Sequence, residues 1–171
     1  MDISGSRILL LGGAGLVGMA ITRRLLKHHR PKTIIITSLF EHEVEQAISE
    51  LKPISGDTEI LGSHGNVFVR EEFSVLGRAD ILDNDERRKK LIDDTLDPLD
   101  DGICLSNSLY KLIQDTTPHI IVDCINTATA LAYQDIFEQS RSLYQMMKEQ
   151  VSNNASKEIE KHMEVLLANQ Y

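Results

Sequence analysis

The sequence predicts an α/β fold: a Rossmann-like, doubly wound domain on a mainly parallel sheet. Three observations predict it. The apolar run Arg7–Leu11 enters the glycine-rich "GGAGLVG" and leaves it with helical spacing. A β-branched run, "KTIIITS", and a helical one, "EHEVEQAISELK", follow at once, and a further apolar run, "HIIVDCI", comes later. Strands and helices alternating in this way are βαβ units, whose strands lie parallel with a right-handed crossover.

Arg7–Leu11 is continuously apolar and bounded by glycines, which suits a strand buried on both faces. Beyond the glycines, Val17, Ile21 and Leu25 recur every four residues with Ala20 beside them, so the spacing predicts a helix with one apolar stripe ending near His29, ahead of Pro31. Lys32–Ser38 is a β-branched strand. In the next helix Val44, Ala47, Ile48 and Leu51 form the inner face, and Pro53 lies just past its end.

The middle is less regular. "TEILGSHGNVFV" reads as a strand pair or one broken strand, and "FSVLGRADIL" as another strand ending near Asp80. "NDERRKKLIDDTL" is a charged helix, "DPLDDG" a turn and "LSNSLYKLIQDT" a further helix before Pro118. His119–Ile125 is the third clear buried strand. From Ala128 the pattern is helical, breaks at "SNNAS" and resumes from Lys157 to Gln170, with Ser156 and Glu158 or Glu160 as start signals. That last helix carries an apolar stripe (Ile159, Met163, Leu166, Leu167) and no strand follows it. Residues 1–171 are therefore expected to form one domain that stops before the next strand its alternation calls for. Its final helix is expected either to pack on the sheet or to mediate self-association as a homo-oligomer.

Composition sets the outer limits. A chain of 171 residues with 42% hydrophobic and 26% charged residues is ordinary for a soluble globular domain. A net charge of −8 argues against nucleic-acid and anionic-membrane partners, which want clustered Lys and Arg. The cations that do cluster, Arg23, Arg24, Lys27 and Arg30, read as a solvated helix face. Cys104 and Cys124 lack CxxC spacing and read as buried reduced thiols, and the six histidines show no zinc-ligand spacing. The N-terminal apolar run meets glycines at once, so no signal peptide is read, and no segment approaches the length of a membrane span. The chain is expected to be cytoplasmic.

The glycines carry the functional expectation. Gly13, Gly15 and Gly18 satisfy G-x-G-x-x-G, while Gly12, Gly15 and Gly18 satisfy G-x-x-G-x-x-G. Between a buried strand and an amphipathic helix, such spacing is the dinucleotide fingerprint. The first glycine permits a tight turn, the second lets a pyrophosphate approach the backbone, and the third lets the helix pack on the strand. Amides at the helix N-terminus then face the phosphates.

A family resemblance rests on these residues. "ILLLGGAGLVG" resembles the "TGGAGFIG"-type opening of the extended short-chain dehydrogenase/reductase family, which includes nucleotide-sugar epimerases and dehydratases. "LLKHHRPKTIIITSLFEHEVEQAISELK" is most similar to its polysaccharide-biosynthesis branch. "RADILD" is similar to the family's "GDIRD" element, whose Asp, after the third strand, contacts the adenine; Asp80 and Ile81 hold those places. "HIIVDCINTATA" resembles the fourth strand and its "VIHxAA" end, which puts Asn126, Thr127 and Ala128 beside the cofactor. The resemblance covers most of residues 5 to 130. It implies NAD or NADP held by Gly12, Gly13, Gly15, Leu16, Val17 and Gly18, with Ser38 at the adenosine ribose. It further implies hydride transfer on a nucleotide-sugar-like small-molecule substrate, in a parent enzyme of which this chain is the N-terminal portion. The alternative is a non-catalytic dinucleotide-binding module with a regulatory or scaffolding role.

Two positions depart from the family pattern. Leu11 replaces the usual Thr before the first glycine, and Thr37-Ser38-Leu39-Phe40 stands where an acidic residue accepts from the ribose hydroxyls. Ser38 suits either cofactor, and Glu41 reads as a favourable charge at a helix start.

Tyr144-Gln-Met-Met-Lys148 has the spacing of the family's catalytic Tyr-x-x-x-Lys. It is not expected to be that pair, which follows the fifth strand. An unbroken helix would carry Tyr144 about 25 Å from the end of strand four at about 1.5 Å per residue. No catalytic residue is therefore assigned, and the chain alone is expected to turn nothing over. Asp93, Asp94, Asp97, Asp100 and Asp101 lack a regular metal-ligand spacing and read as a solvated helix end and turn. Asp123, inside a strand, is either hydrogen-bonded at a strand edge or turned toward the cofactor end.

Overall fold

The computed structural model describes residues 3–125 together with Arg141, Tyr144, Lys161 and Glu164. Four strands, β1 (Arg7–Leu11), β2 (Thr33–Ser38), β3 (Glu59–His64) and β4 (Ile120–Asp123), form one sheet in the order β3-β2-β1-β4. Every neighbouring pair is parallel, with Leu9 opposite both Ile35 and Ile121. The helices are α1 (Leu16–His28), α2 (Glu41–Leu51), α3 (Arg78–Leu82), α4 (Asp85–Leu96), α5 (Asp101–Ser106) and α6 (Ser108–Thr116). This is the α/β class expected, and β1, α1, β2 and α2 lie where the apolar periods put them.

Strand alternation sorts the core onto two faces. Ile8, Leu10, Ile34 and Ile36 pack with Met19 and Leu26 of α1 and Ala47 and Leu51 of α2. Leu9, Leu11 and Ile35 point the other way and meet Leu109, Leu112 and Ile113 of α6. The two central strands are thus apolar at nearly every position because both faces are covered, each buried aliphatic side chain contributing about 1.5–3 kcal/mol. Among the described strands β3 lies at the edge of the sheet and is largely exposed. Its Gly62 lies under α2, where a Cβ would run into the side chains of Val44 and Ile48.

Several expectations are corrected. The buried face of α1 is shifted from the stripe read: Ile21 and Leu25 pack against the core but are only partly buried, Met19, Thr22 and Leu26 are fully buried, and Val17 is exposed. Gly18 must face the glycine turn, which sets the helix rotation, and Thr22 is tolerated inside because its hydroxyl donates to Gly18 O at 2.8 Å. "TEILGSHGNVFV" forms one strand and then a loop that turns at Gly65, with φ +118°. "FSVLGRADIL" contains no strand: Glu71–Phe73 is a 3₁₀ turn and Arg78–Leu82 is helical. The run is too polar around Gly77-Arg78-Ala79-Asp80 to sit in a buried sheet, and tertiary context overrides its short apolar stretch. The segment before α6 adds α5, and Asn107 caps α6 by accepting from Leu109 N at 2.9 Å.

The chain divides into two compact units, residues 1–75 with 106–126, and residues 76–105 with 127–171. The first holds the sheet, α1, α2 and α6. Within the second, Ile81, Leu91, Ile92 and Tyr144 are buried. Arg88 is buried there too, its guanidinium donating to Asp85 Oδ1 at 2.8 Å, Glu164 Oε2 at 3.1 Å and Leu82 O at 2.6 Å. Asn84 caps α4 by accepting from Arg87 N at 3.0 Å.

Candidate functional site

The strand order reverses between β1 and β4, and in open α/β sheets the crevice at the carboxyl ends of such strands is where ligands bind. The glycine turn occupies that position. Gly12 has φ +68°, a left-handed conformation that glycine adopts without strain. A Cβ on Gly12 would also lie 3.2 Å from Ile125 Cγ1 and 3.3 Å from the Cys124 carbonyl, so the end of β4 closes on the turn. Positive φ marks Gly12 as the tight-turn residue, so the operative spacing is Gly12, Gly15, Gly18.

The turn is held by Thr37, the penultimate residue of β2. Its Oγ1 accepts from Gly12 N at 3.1 Å and donates to Leu10 O at 3.3 Å, and its carbonyl accepts from Ala14 N at 3.4 Å. Thr37 is buried, and these bonds satisfy its hydroxyl. Sequence reasoning passed over it; the signal was a polar residue at the end of an otherwise apolar strand.

The remaining glycines have different causes. A Cβ on Gly13 would lie 2.9 Å from Ile36 Cγ2 and 3.0 Å from Leu10 O. On Gly18 it would lie 2.5 Å from both Cα and O of Gly13 and 2.7 Å from Gly12 O, so the third glycine lets α1 press onto the turn. Gly15 differs: a Cβ there meets only Gly12 O, at 3.3 Å, and its φ is −72°. Backbone strain does not demand glycine there, and among the described residues the contact with Gly12 O is the one a Cβ would make.

Gly15 is the N-cap of α1 and supplies no side-chain cap, and the first turn holds no acidic residue. The first intrahelical bond is Met19 N to Gly15 O at 2.9 Å, so the amides of Leu16, Val17 and Gly18 form the open positive end of the helix. Large apolar side chains are exposed at the start of α1 and just past β2: Leu16 is 94% exposed, Val17 61%, and Leu39 and Phe40 53% each.

Ser38 ends β2, and its hydroxyl donates to Glu43 Oε2 on the first turn of α2. A carboxylate therefore stands at the end of strand two after all, delivered from the helix. No local periodicity announces a bond between residues five apart across a strand–helix junction.

Asp80 and Ile81 do not follow the third strand. β3 ends at His64, and Gly65, Asn66 and Val67 come next. Asp80 instead lies in the first turn of α3 in the second unit, its carbonyl accepting from Arg87 Nη1 at 3.1 Å, and Ile81 is a buried packing residue there. The misplacement came from reading "FSVLGRADIL" as the strand. Asn66 accepts at Oδ1 from Phe68 N at 3.0 Å, and Asn66 and Ser108 line one groove beside β3. Ser108 Oγ is buried in that groove with no hydrogen-bond partner among the described residues. The signal missed was a glycine–amide pair directly after the strand.

Asn126, Thr127 and Ala128 lie outside the described residues, as does Lys148. Tyr144 is helical and 3% exposed in the second unit. Asp123 ends β4, its Oδ1 accepting from Ile125 N at 2.8 Å, which is the strand-end hydrogen bond. Cys104 and Cys124 are free and half-buried rather than fully buried. Burial, reinforced by the Asp123 carboxylate, pushes the Cys124 thiol above its usual range, which keeps it protonated and a poor nucleophile. Among the described residues no group of three His, Cys, Asp or Glu is placed to hold a metal ion, and no helix is long and apolar enough to cross a membrane. No protein-family model matches the chain, and no curated protein matches it either.

Proposed function

We propose that the first unit is a Rossmann-like dinucleotide-binding module that takes NAD or NADP at the carboxyl ends of β1, β2 and β4. The observation that carries this reading is Gly15, which needs no positive φ and whose Cβ would meet Gly12 O alone among the described residues, set where a pyrophosphate would need close approach to the backbone. The amides of Leu16, Val17 and Gly18 would hold the phosphates through charge-assisted hydrogen bonds. Thr37 keeps the turn in shape, and the exposed Leu16 and Val17 offer apolar surface to the bound cofactor. The resemblance names Asp80 for the adenine contact by its place after the third strand; Asn66 follows β3, and its amide carries both the donor and acceptor that a purine edge requires. The Ser108 hydroxyl in the same groove, without a hydrogen-bond partner among the described residues, would offer a further polar contact.

A bound nicotinamide dinucleotide supplies a hydride acceptor or donor. The chain's own residues bind and orient it; none of them is assigned a proton-transfer role. Hydride transfer on a nucleotide-sugar-like substrate is the chemistry the family resemblance implies, and a purely dinucleotide-sensing role would use the same residues.

Calorimetric titration of the chain with NAD and NADP tests the reading. The wild-type chain is expected to bind, and Gly15→Val to lose binding while keeping its circular dichroism spectrum. A folded Gly15→Val chain with undiminished affinity would overturn the assignment.

A further inference from the structure

We infer that the outer edge of β3 is a self-association surface, where a second copy of this chain adds its own β3 antiparallel and joins the two sheets. The inference stands apart from the dinucleotide reading. Among the described residues β3 pairs with β2 alone, so its other edge carries unpaired backbone groups. The pairing shows which groups these are. Glu59 N donates to Lys32 O at 3.0 Å, and Gly65 N, just past the strand, donates to Ser38 O at 3.0 Å. The N–H and C=O of one strand residue point to the same side, and successive residues alternate. Glu59, Leu61 and Ser63 therefore bond to β2, while Ile60, Gly62 and His64 turn their N–H and C=O outward. Folded chains usually guard such an edge with Pro, Lys or a bulge. β3 contains neither Pro nor Lys, and its register against β2 runs unbroken from Glu59 to His64. Its one carboxylate, on Glu59, accepts from Thr33 Oγ1 at 3.1 Å and so is drawn over β2 rather than across the edge.

The edge is complementary to itself. Two antiparallel copies of β3 about a two-fold axis must oppose residues that share a face of the sheet, so only every second register is open. Centring the pair on Leu61 puts Ile60 opposite Gly62 of the second copy, and Gly62 opposite its Ile60. All of these residues carry outward groups, so each pair exchanges N–H to C=O bonds in both directions. Leu61 then meets Leu61 of the second copy at the closer, non-bonded position, with about 4.5 Å between Cα atoms. Leu61 lies opposite Ile35, on the face that α6 covers further in, and is 37% exposed; pairing covers it with an identical side chain. Gly62, which already makes room for Val44 and Ile48 of α2, has no Cβ to crowd the incoming Ile60. Glu59 falls opposite Ser63 of the second copy, a hydroxyl donor, and the Glu59 carboxylates of the two copies lie at opposite ends of the pair. Centring on Gly62 would instead set Leu61 against the Ser63 hydroxyl and lose the apolar match. The occupant is a second copy because donors, acceptors, charge and apolar side chain all match the strand's own.

Sedimentation velocity of the full chain over a range of concentrations is the first test, at an ionic strength that screens the net charge of −8 on each copy. A monomer–dimer equilibrium is expected. A chain monomeric throughout would overturn the inference, whether the edge is then left open or taken by a strand of another protein. Leu61→Lys and Leu61→Glu each set like charges face to face across the axis, and each alone should lose the dimer. Their equimolar mixture should regain it, since unlike charges then oppose. A dimer that survives in either variant, or a mixture that stays monomeric, would overturn the Leu61-centred contact. Amide hydrogen exchange of the unsubstituted chain tests the same geometry without any risk to folding. On raising the concentration, the amides of Ile60 and Gly62 should gain protection, while those of Leu61 and Ser63, already bonded to β2, should not change. An equal gain in both sets, or none in either, would overturn the inference.

Discussion

Replacing Gly18 with Ala separates two physical accounts of the glycine turn by the sign of the effect. Gly18 lies in the first turn of α1. If it were only a helical residue, Ala would stabilise the chain by about 1 kcal/mol through helix propensity and reduced unfolded-state entropy. The structure predicts the opposite. The added Cβ would sit 2.5 Å from Gly13 Cα and O and 2.7 Å from Gly12 O, and all three are backbone atoms of a turn pinned by Thr37. No side-chain rotation relieves the overlap, so α1 must lift from the sheet and loosen the packing of Met19 and Leu26. Overpacking of this kind costs about 3 kcal/mol, the upper part of its usual range, because the obstructing atoms are fixed. After the propensity gain the net loss is about 2 kcal/mol, or a fall in Tm of about 4–8 °C for a domain of this size. Urea denaturation followed by far-ultraviolet circular dichroism measures the first quantity and a thermal scan the second. An unchanged or raised stability for Gly18→Ala would refute the packing account.

Thr37→Val keeps the shape of the side chain and removes the acceptor for Gly12 N, so about 1–3 kcal/mol of stability should be lost in the same urea assay; an unchanged midpoint would show that the turn holds itself. Asn66→Ala should weaken NAD by about 1 kcal/mol and leave nicotinamide mononucleotide unaffected, whereas Asp80→Ala should change neither titration. The reverse pattern would restore the adenine role to Asp80. Arg88 beside Asp85, by hydrogen bond and charge, holds the Asp85 carboxyl below its ordinary value of 3.8. A lowered folded-state value means that this pair stabilises the fold above pH 3.8 and that the contribution is lost as pH falls through the lowered value. Asp85→Asn should therefore flatten the acid limb of a stability–pH profile and leave its neutral limb parallel; superimposable acid limbs would contradict this.

Local chemistry alone determined much of the first fifty residues. Apolar runs, helical spacing and glycine placement fix β1, α1, β2 and α2 because each element's burial is written in its own periodicity, and the parallel sheet follows from their alternation. Only tertiary structure decided the rest. Gly12 rather than Gly13 is the tight-turn glycine, since φ depends on how β4 closes over the turn. The close packing of Gly18 on Gly13 turns α1 so that Met19, Thr22 and Leu26 are its most buried residues, with Ile21 and Leu25 of the expected stripe at the margin of that face. Asp80 left the third-strand position because polar residues around it could not enter a buried sheet, and Asn66 took that place as the strand ended earlier. Glu43 arrived at the end of β2 by a strand-to-helix reversal that brings a carboxylate back over the strand. A sequence pattern records what each segment can bury; which polar groups converge at a strand end depends on chain reversals that leave no period to read.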